Sequence, residues 1–113
     1  AMQTTLFHNP ACSKSRAALE LLRARGVPMD VIDYLDTPPD AAMLATLAAL
    51  PGLDARSLLR ADDVRAAGLA VPDGDAAILE LIALQPRYLQ RPLFVHGARA
   101  VVGRPPERVL ELL

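Results

Sequence analysis

The stretch FHNPACSKSR (residues 7–16) holds the chain's single cysteine, Cys12. His8 stands four residues before it, Ser15 three after it, and Lys14 and Arg16 close by. This is the pattern of a nucleophilic thiol. The reactive species is the thiolate, and an ordinary thiol pKa of about 8.5 falls at a helix N-terminus or beside cations. A helical pattern opens directly after Cys12, so unpaired N–H groups and the positive end of a helix dipole face the sulfur. Lys14 and Arg16 add positive charge, and His8 is placed to hydrogen-bond or charge-pair with the thiolate. The competing reading is an inert buried thiol, since free cysteine is among the most buried residue types. The small and polar neighbours Asn9, Pro10, Ser13, Lys14 and Ser15 do not look like a core strand, which favours the reactive reading.

A dithiol redox motif, C-x-x-C, would need a second cysteine where Ser15 stands. Cys12 can therefore form a covalent adduct but cannot resolve it internally; an external thiol has to do so, and glutathione is the expected source. Three arginines lie at the edges of expected elements: Arg60 after Ser57-Leu58-Leu59, Arg91 before Pro92, and Arg104 after the last strand. Guanidinium groups converging on a thiolate describe a site for an oxyanion.

The elements that would position these groups are legible along the chain. TTLFH (residues 4–8) reads as a strand stopped by Asn9-Pro10. Ser13 or a near neighbour caps a helix over Ser15–Arg25, with Ala18, Leu19 and Leu22 on one face and Gly26 as its stop. VPMDVIDYL reads as a second strand, ended by DTPPD. Residues 40–50 form a helix capped by Asp40, followed by a helical turn over Ala55–Arg60, another over Asp62–Gly68, and a helix over Asp75–Gln85. RPLFV, a turn at His96-Gly97 and ARAVVG give a hairpin. PPERVLELL closes the chain as a helix with Val109, Leu110 and Leu113 on one side. The order β-α-β, helical insertion, β-β-α implies a parallel pair with a helical crossover, then antiparallel strands. That is an α/β, thioredoxin-like layout with a mixed four-stranded sheet. In it the loop before the third strand lies beside the cysteine, which brings Arg91 to Cys12 and Arg104 in from the adjacent strand.

Composition bounds the rest. The 113 residues suit one domain, 1–113, and the 52% apolar content supports a compact fold. Net charge is −1, from 12 basic and 13 acidic residues, so bulk charge points to no nucleic acid partner. Eleven of the 12 basic residues are arginine, which genomic GC bias explains for most positions. One cysteine excludes an internal disulfide, and the spacing of a Cys/His zinc site is missing, so no metal and no bound cofactor are expected. No apolar run approaches the ~20 residues of a membrane span. The N-terminus lacks the basic-then-apolar order of a signal peptide, and a cytoplasmic protein without a membrane partner is the expectation. Ala1 ahead of Met2 reads as an expression remnant.

Five separated stretches, HNPACSKSR, YLDTPP, SLLR, LQRPLFV and VVGRPPERVLELL, resemble in order the glutaredoxin-linked arsenate reductase (ArsC-like) family, nearly end to end from Thr4 to Leu113. The resemblance implies a thioredoxin-like fold with an extra helical segment. It implies that Cys12 attacks arsenate, that His8 keeps Cys12 ionised, and that Arg60, Arg91 and Arg104 bind the oxyanion. Pro92 falls where this fold carries a cis proline. Glutathione is then the co-substrate and a glutaredoxin the partner that restores Cys12. The chain departs from the pattern at Ser13-Lys14, where the best-characterised arsenate reductases tend to carry Gly-Thr. Two alternatives stand beside arsenate reduction: a glutathione-linked thiol oxidoreductase acting on another substrate, and a regulator of the Spx type that binds RNA polymerase. Such regulators typically carry a C-x-x-C switch, which Ser15 removes. The arsenate reductases built on the low-molecular-weight phosphatase fold need C-x5-R and further cysteines; here Arg16 follows Cys12 by four and no second cysteine exists.

Overall fold

The apolar pair Leu6-Phe7, followed by the turn-forming Asn9-Pro10, makes a short strand with one side chain on each face. In the computed structural model, which describes residues 4–113, this strand is β1 (Thr5–His8). Ala1, and with it the reading of an expression remnant, lies outside the described residues. The chain divides into two units: residues up to 37 together with 91–113, and the intervening residues 38–90.

In the first unit, β1 is followed by α1 (Ser13–Ala24) and β2 (Asp30–Asp33), and the unit closes with β3 (Leu93–His96), β4 (Arg99–Val102) and a 3₁₀ helix, Pro106–Leu112. The sheet order is β2-β1-β3-β4. β1 runs parallel to β2, with His8 opposite Asp33, and antiparallel to β3, with Leu6 opposite Phe94. β3 pairs antiparallel with β4. A parallel pair cannot be joined by a tight turn, so α1 must cross over between β1 and β2. The mixed four-stranded sheet is the thioredoxin-like one expected. The hairpin loop is Gly97-Ala98, with Gly97 at φ 65°, and His96 belongs to the strand rather than the turn. Positive φ at the first loop residue alone suits the strand twist and selects glycine there.

Leu6, Phe94 and Val101 line up across one face of the sheet and are buried against Ala18 and Leu22 of α1 and against Val109 and Leu112. Spacing four places Ala18 and Leu22 on one stripe of α1; Leu19 packs at its margin. Two expectations need correcting. The closing segment winds as a 3₁₀ helix, in which residues three apart eclipse, so Val109 and Leu112 are buried while Leu113 is about half exposed. α1 begins two residues earlier than expected, and its N-cap is Cys12 itself, in extended conformation.

The second unit holds α2 (Ala41–Ala48), a 3₁₀ turn Arg56–Leu58, α3 (Ala61–Ala66), α4 (Asp75–Leu84) and a 3₁₀ turn Pro86–Tyr88. Asp40 caps α2, its carboxylate accepting from the Met43 N–H at 2.8 Å. Its two 3₁₀ turns are tied by backbone bonds, Arg60 N–H to Tyr88 and Gln90 N–H to Leu58, each 2.8 Å. Leu44, Leu47, Leu58, Val64, Ile78 and Ile82 are fully buried. Among the described residues no helix is long and apolar enough to cross a membrane.

Gly103 joins the site loops to the closing helix. Its N–H donates to the Pro92 carbonyl at 2.9 Å, and a Cβ built there would lie 2.8 Å from Pro92 Cγ and 3.0 Å from Val109 Cγ1. Gly103→Ala is therefore expected to destabilise the protein by about 1–3 kcal/mol through overpacking. An unchanged urea midpoint would contradict this packing.

Candidate active site

Cys12 reaches its position because two local structures meet there. Asn9-Pro10-Ala11-Cys12 is a tight turn closed by the Cys12 N–H donating to the Asn9 carbonyl at 3.0 Å. Asn9 Oδ1 accepts from the Ala11 N–H at 2.9 Å, the side-chain turn that asparagine favours. α1 then starts at once, the Arg16 N–H donating to the Cys12 carbonyl at 3.0 Å. A residue at the N-cap directs its side chain at the free N–H groups of the first turn. Here that side chain is a thiol.

The sulfur is partly exposed. Burial pushes the Cys12 thiol up, but the pull of the nearby Ser15 N–H, the Arg91 side chain and the Lys14 N–H on the sulfur outweighs it, and the net shift is downward. The positive charge of Arg91 adds to the effect. Arg91 comes from the loop before β3, where the Arg91–Pro92 bond is cis. Arg104 follows β4 and donates through Nη1 to the Arg91 carbonyl at 3.1 Å, so the two arginines are linked. The Arg104–Pro105 bond is also cis, which the sequence reading did not anticipate.

His8 is not bonded to the sulfur. Its Nδ1 lies 2.7 Å from Ser15 Oγ, and that oxygen also accepts from the Asn9 N–H at 3.0 Å. Burial lowers the His8 pKa; Asp33 opposes this, and the charges of Arg23 and Arg16 reinforce it. The ring is thus pressed toward its neutral form, and the expected charge pair with the thiolate gives way to an indirect contact through Ser15. Ser15 is fully buried, its N–H turned to the sulfur and its hydroxyl to the turn behind it.

The other basic residues are differently placed. Lys14 is exposed and contributes its backbone N–H. Arg16 donates through Nη1 to the Pro10 carbonyl at 2.8 Å, bracing the turn. Arg60 belongs to the unit of residues 38–90, where its Nε is paired with Asp63 Oδ2 at 2.6 Å. Among the described residues no three His, Cys, Asp or Glu side chains cluster as a metal site requires.

Two residues that the sequence reading passed over support the site. Asn9 is buried, and its Nδ2 donates to the hydroxyl of Tyr34, itself fully buried at the end of β2, at 3.1 Å. In the sequence Asn9 reads as part of a strand stop and as a polar neighbour of Cys12, and nothing local marks Tyr34 as its partner.

Comparisons with known proteins bear on the family and the fold. Residues 7–112 match the model of the ArsC family. The chain is 45% identical over 112 residues to an arsenate reductase of Neisseria meningitidis, covering 96% of each protein. It is 39% identical over 115 residues to the uncharacterized protein YfgD of Escherichia coli, covering 98% of this chain and 97% of that one. A solved arsenate reductase from Vibrio cholerae superposes with a TM-score of 0.86 at 37% identity, over 100% of this chain and 99% of that one.

Two outcomes test the network. Ser15→Ala leaves the buried Asn9 N–H without its acceptor and is expected to cost about 1–3 kcal/mol in urea unfolding; a loss near zero would mean that the bond is dispensable. Because the folded chain holds His8 below its usual pKa, the unfolded chain takes up the proton first. Stability therefore falls as pH drops below about 6.5, and His8→Asn should flatten that part of the profile. An identical slope in the variant would contradict the assignment.

Proposed function

The chain belongs to the ArsC family, and we propose that it acts as an arsenate reductase whose single thiol, Cys12, takes the arsenic while glutathione and a glutaredoxin supply the electrons. The observation that carries this reading is the Cys12 thiol at the head of α1, held toward its anionic form by the Ser15 and Lys14 N–H groups and by Arg91. The relatives named arsenate reductase support arsenate as the oxyanion.

The chemistry balances with one protein sulfur. The Cys12 thiolate bonds to arsenic and an oxygen of dihydrogen arsenate leaves as water, both of its protons coming from the arsenate. Arg91 and Arg104 offer fixed donors to the oxygens on which charge develops. Glutathione displaces a second oxygen as water, so that arsenic carries two sulfurs. Those sulfurs then join, the Cys12–glutathione disulfide forms, and the electron pair passes to arsenic, which departs as arsenite. A glutaredoxin thiolate attacks the glutathione sulfur and returns Cys12 to its thiol form. Ser15 offers no second sulfur, which is why the electrons must come from outside.

An NADPH-coupled assay with glutathione, glutathione reductase and glutaredoxin is the test. Wild-type protein should turn over arsenate, and Cys12→Ser should abolish it; equal activity in the variant would end the proposal. Arg91→Ala and Arg104→Ala should each raise the KM for arsenate by about tenfold, the scale of one lost charged hydrogen bond. Unchanged KM in both would remove the arginines from the substrate site.

A further inference from the structure

We propose that the groove along α1 lined by His8, Pro10, Ser13, Arg16, Glu20 and Arg23 is the docking site for a thiol bearing an α-amino-acid head and a second carboxylate, the chemistry of glutathione. The inference rests on the reading that an external thiol resolves the Cys12 adduct, and it says where that thiol is held.

The groove has a volume of about 450 Å³ and begins at the turn that carries the nucleophile, since Pro10 and Ser13 flank the Ala11-Cys12 pair in the chain. Ser13, Arg16, Glu20 and Arg23 follow one another at steps of three, four and three, which puts them on a single stripe of the helix. From Ser13 to Arg23 the helix rises about 15 Å. Helical side chains lean toward the N-terminus, so Arg23 reaches back along the groove toward Cys12. The separation is that of a short extended peptide, at about 3.3–3.6 Å per residue, once that lean is allowed for.

The order of charges along this stripe is positive, negative, positive. Arg16, Glu20 and Arg23 have the spacings at which helices form internal ion pairs, yet among the described residues no salt bridge joins them. All three are exposed. Arg16 commits one N–H to Pro10 and keeps the rest of its fork. Both arginine charges are felt at the His8 ring, which places them over the same groove. An ammonium and a carboxylate on one carbon match the adjacent Glu20 and Arg23, and a second carboxylate nearer the thiol matches Arg16. A guanidinium fork suits a carboxylate in each case. An inorganic oxyanion would have no use for Glu20.

Thiol–disulfide exchange tests the groove without arsenate, so its outcome is separate from that of the proposed reductase activity. The Cys12 thiolate attacks one sulfur of glutathione disulfide, the S–S bond breaks, the Cys12–glutathione disulfide forms, and glutathione leaves as thiolate. The full chain is mixed with glutathione disulfide or with the uncharged bis(2-hydroxyethyl) disulfide, and adduct formation is followed by intact mass. The quantity read is the ratio of the two rate constants. It should favour glutathione disulfide in wild type and fall about fivefold in Arg23→Glu, from reversing one exposed charge contact. It should fall also in Glu20→Gln. A ratio that is the same in wild type and both variants would overturn the inference. A slowing shared equally by both disulfides would overturn it too, because it would report on the thiol and not on the groove.

Discussion

The Cys12 thiol at the first turn of α1 is shifted toward its anion against a cost. Cys12 is partly buried, and burial by itself favours the neutral thiol. What reverses the balance is a small set of donors with fixed positions: two N–H groups that a helix start leaves without intrahelical partners, and the Arg91 side chain. Each of these donors is set by a different part of the unit. The N–H groups exist because α1 begins immediately after Cys12, and Arg91 arrives because β3 pairs with β1 and carries its preceding loop to the same end of the sheet.

The turn between β1 and α1 is accordingly tied at several points. Asn9 closes it through its carbonyl, its N–H and both ends of its side chain, and Tyr34 ties it to β2. Ser15 serves two partners at once, with its N–H toward the sulfur and its hydroxyl between Asn9 and His8. A cysteine there would lose the strong hydroxyl bonds, because a thiol is a weak donor and acceptor. The residue that ties the turn together thus stands at the position where a C-x-x-C motif would carry its second cysteine.

Much of this was legible in the chain. The order of elements and the mixed sheet follow from strand signals, helix periodicity and the rule that parallel strands need a crossover. Cys12, Arg91 and Arg104 could be brought together because topology alone places the loop before β3 and the end of β4 near the start of α1. What was not legible depended on contacts between residues far apart in sequence, or on a choice between two local geometries. Asn9 meets Tyr34 only once β2 is in register with β1. His8 could not be known to face Ser15 rather than the sulfur, since four residues upstream of a helix fixes the strand end but not the ring's partner. The closing PPERVLELL supported a helix of either pitch, and burial of Val109 with Leu112 decided for three residues per turn. Arg60 looked like its two counterparts in sequence, and its pairing with Asp63 three residues later became visible only in the fold.

The most direct measurement is titration of the Cys12 thiolate by its ultraviolet absorbance, in the wild type and in Arg91→Ala. The donors described here require a wild-type pKa below the ordinary value of about 8.5, and a higher value once Arg91 is removed. A wild-type thiol that ionises at or above about 8.5, or one indifferent to the loss of Arg91, would contradict the account.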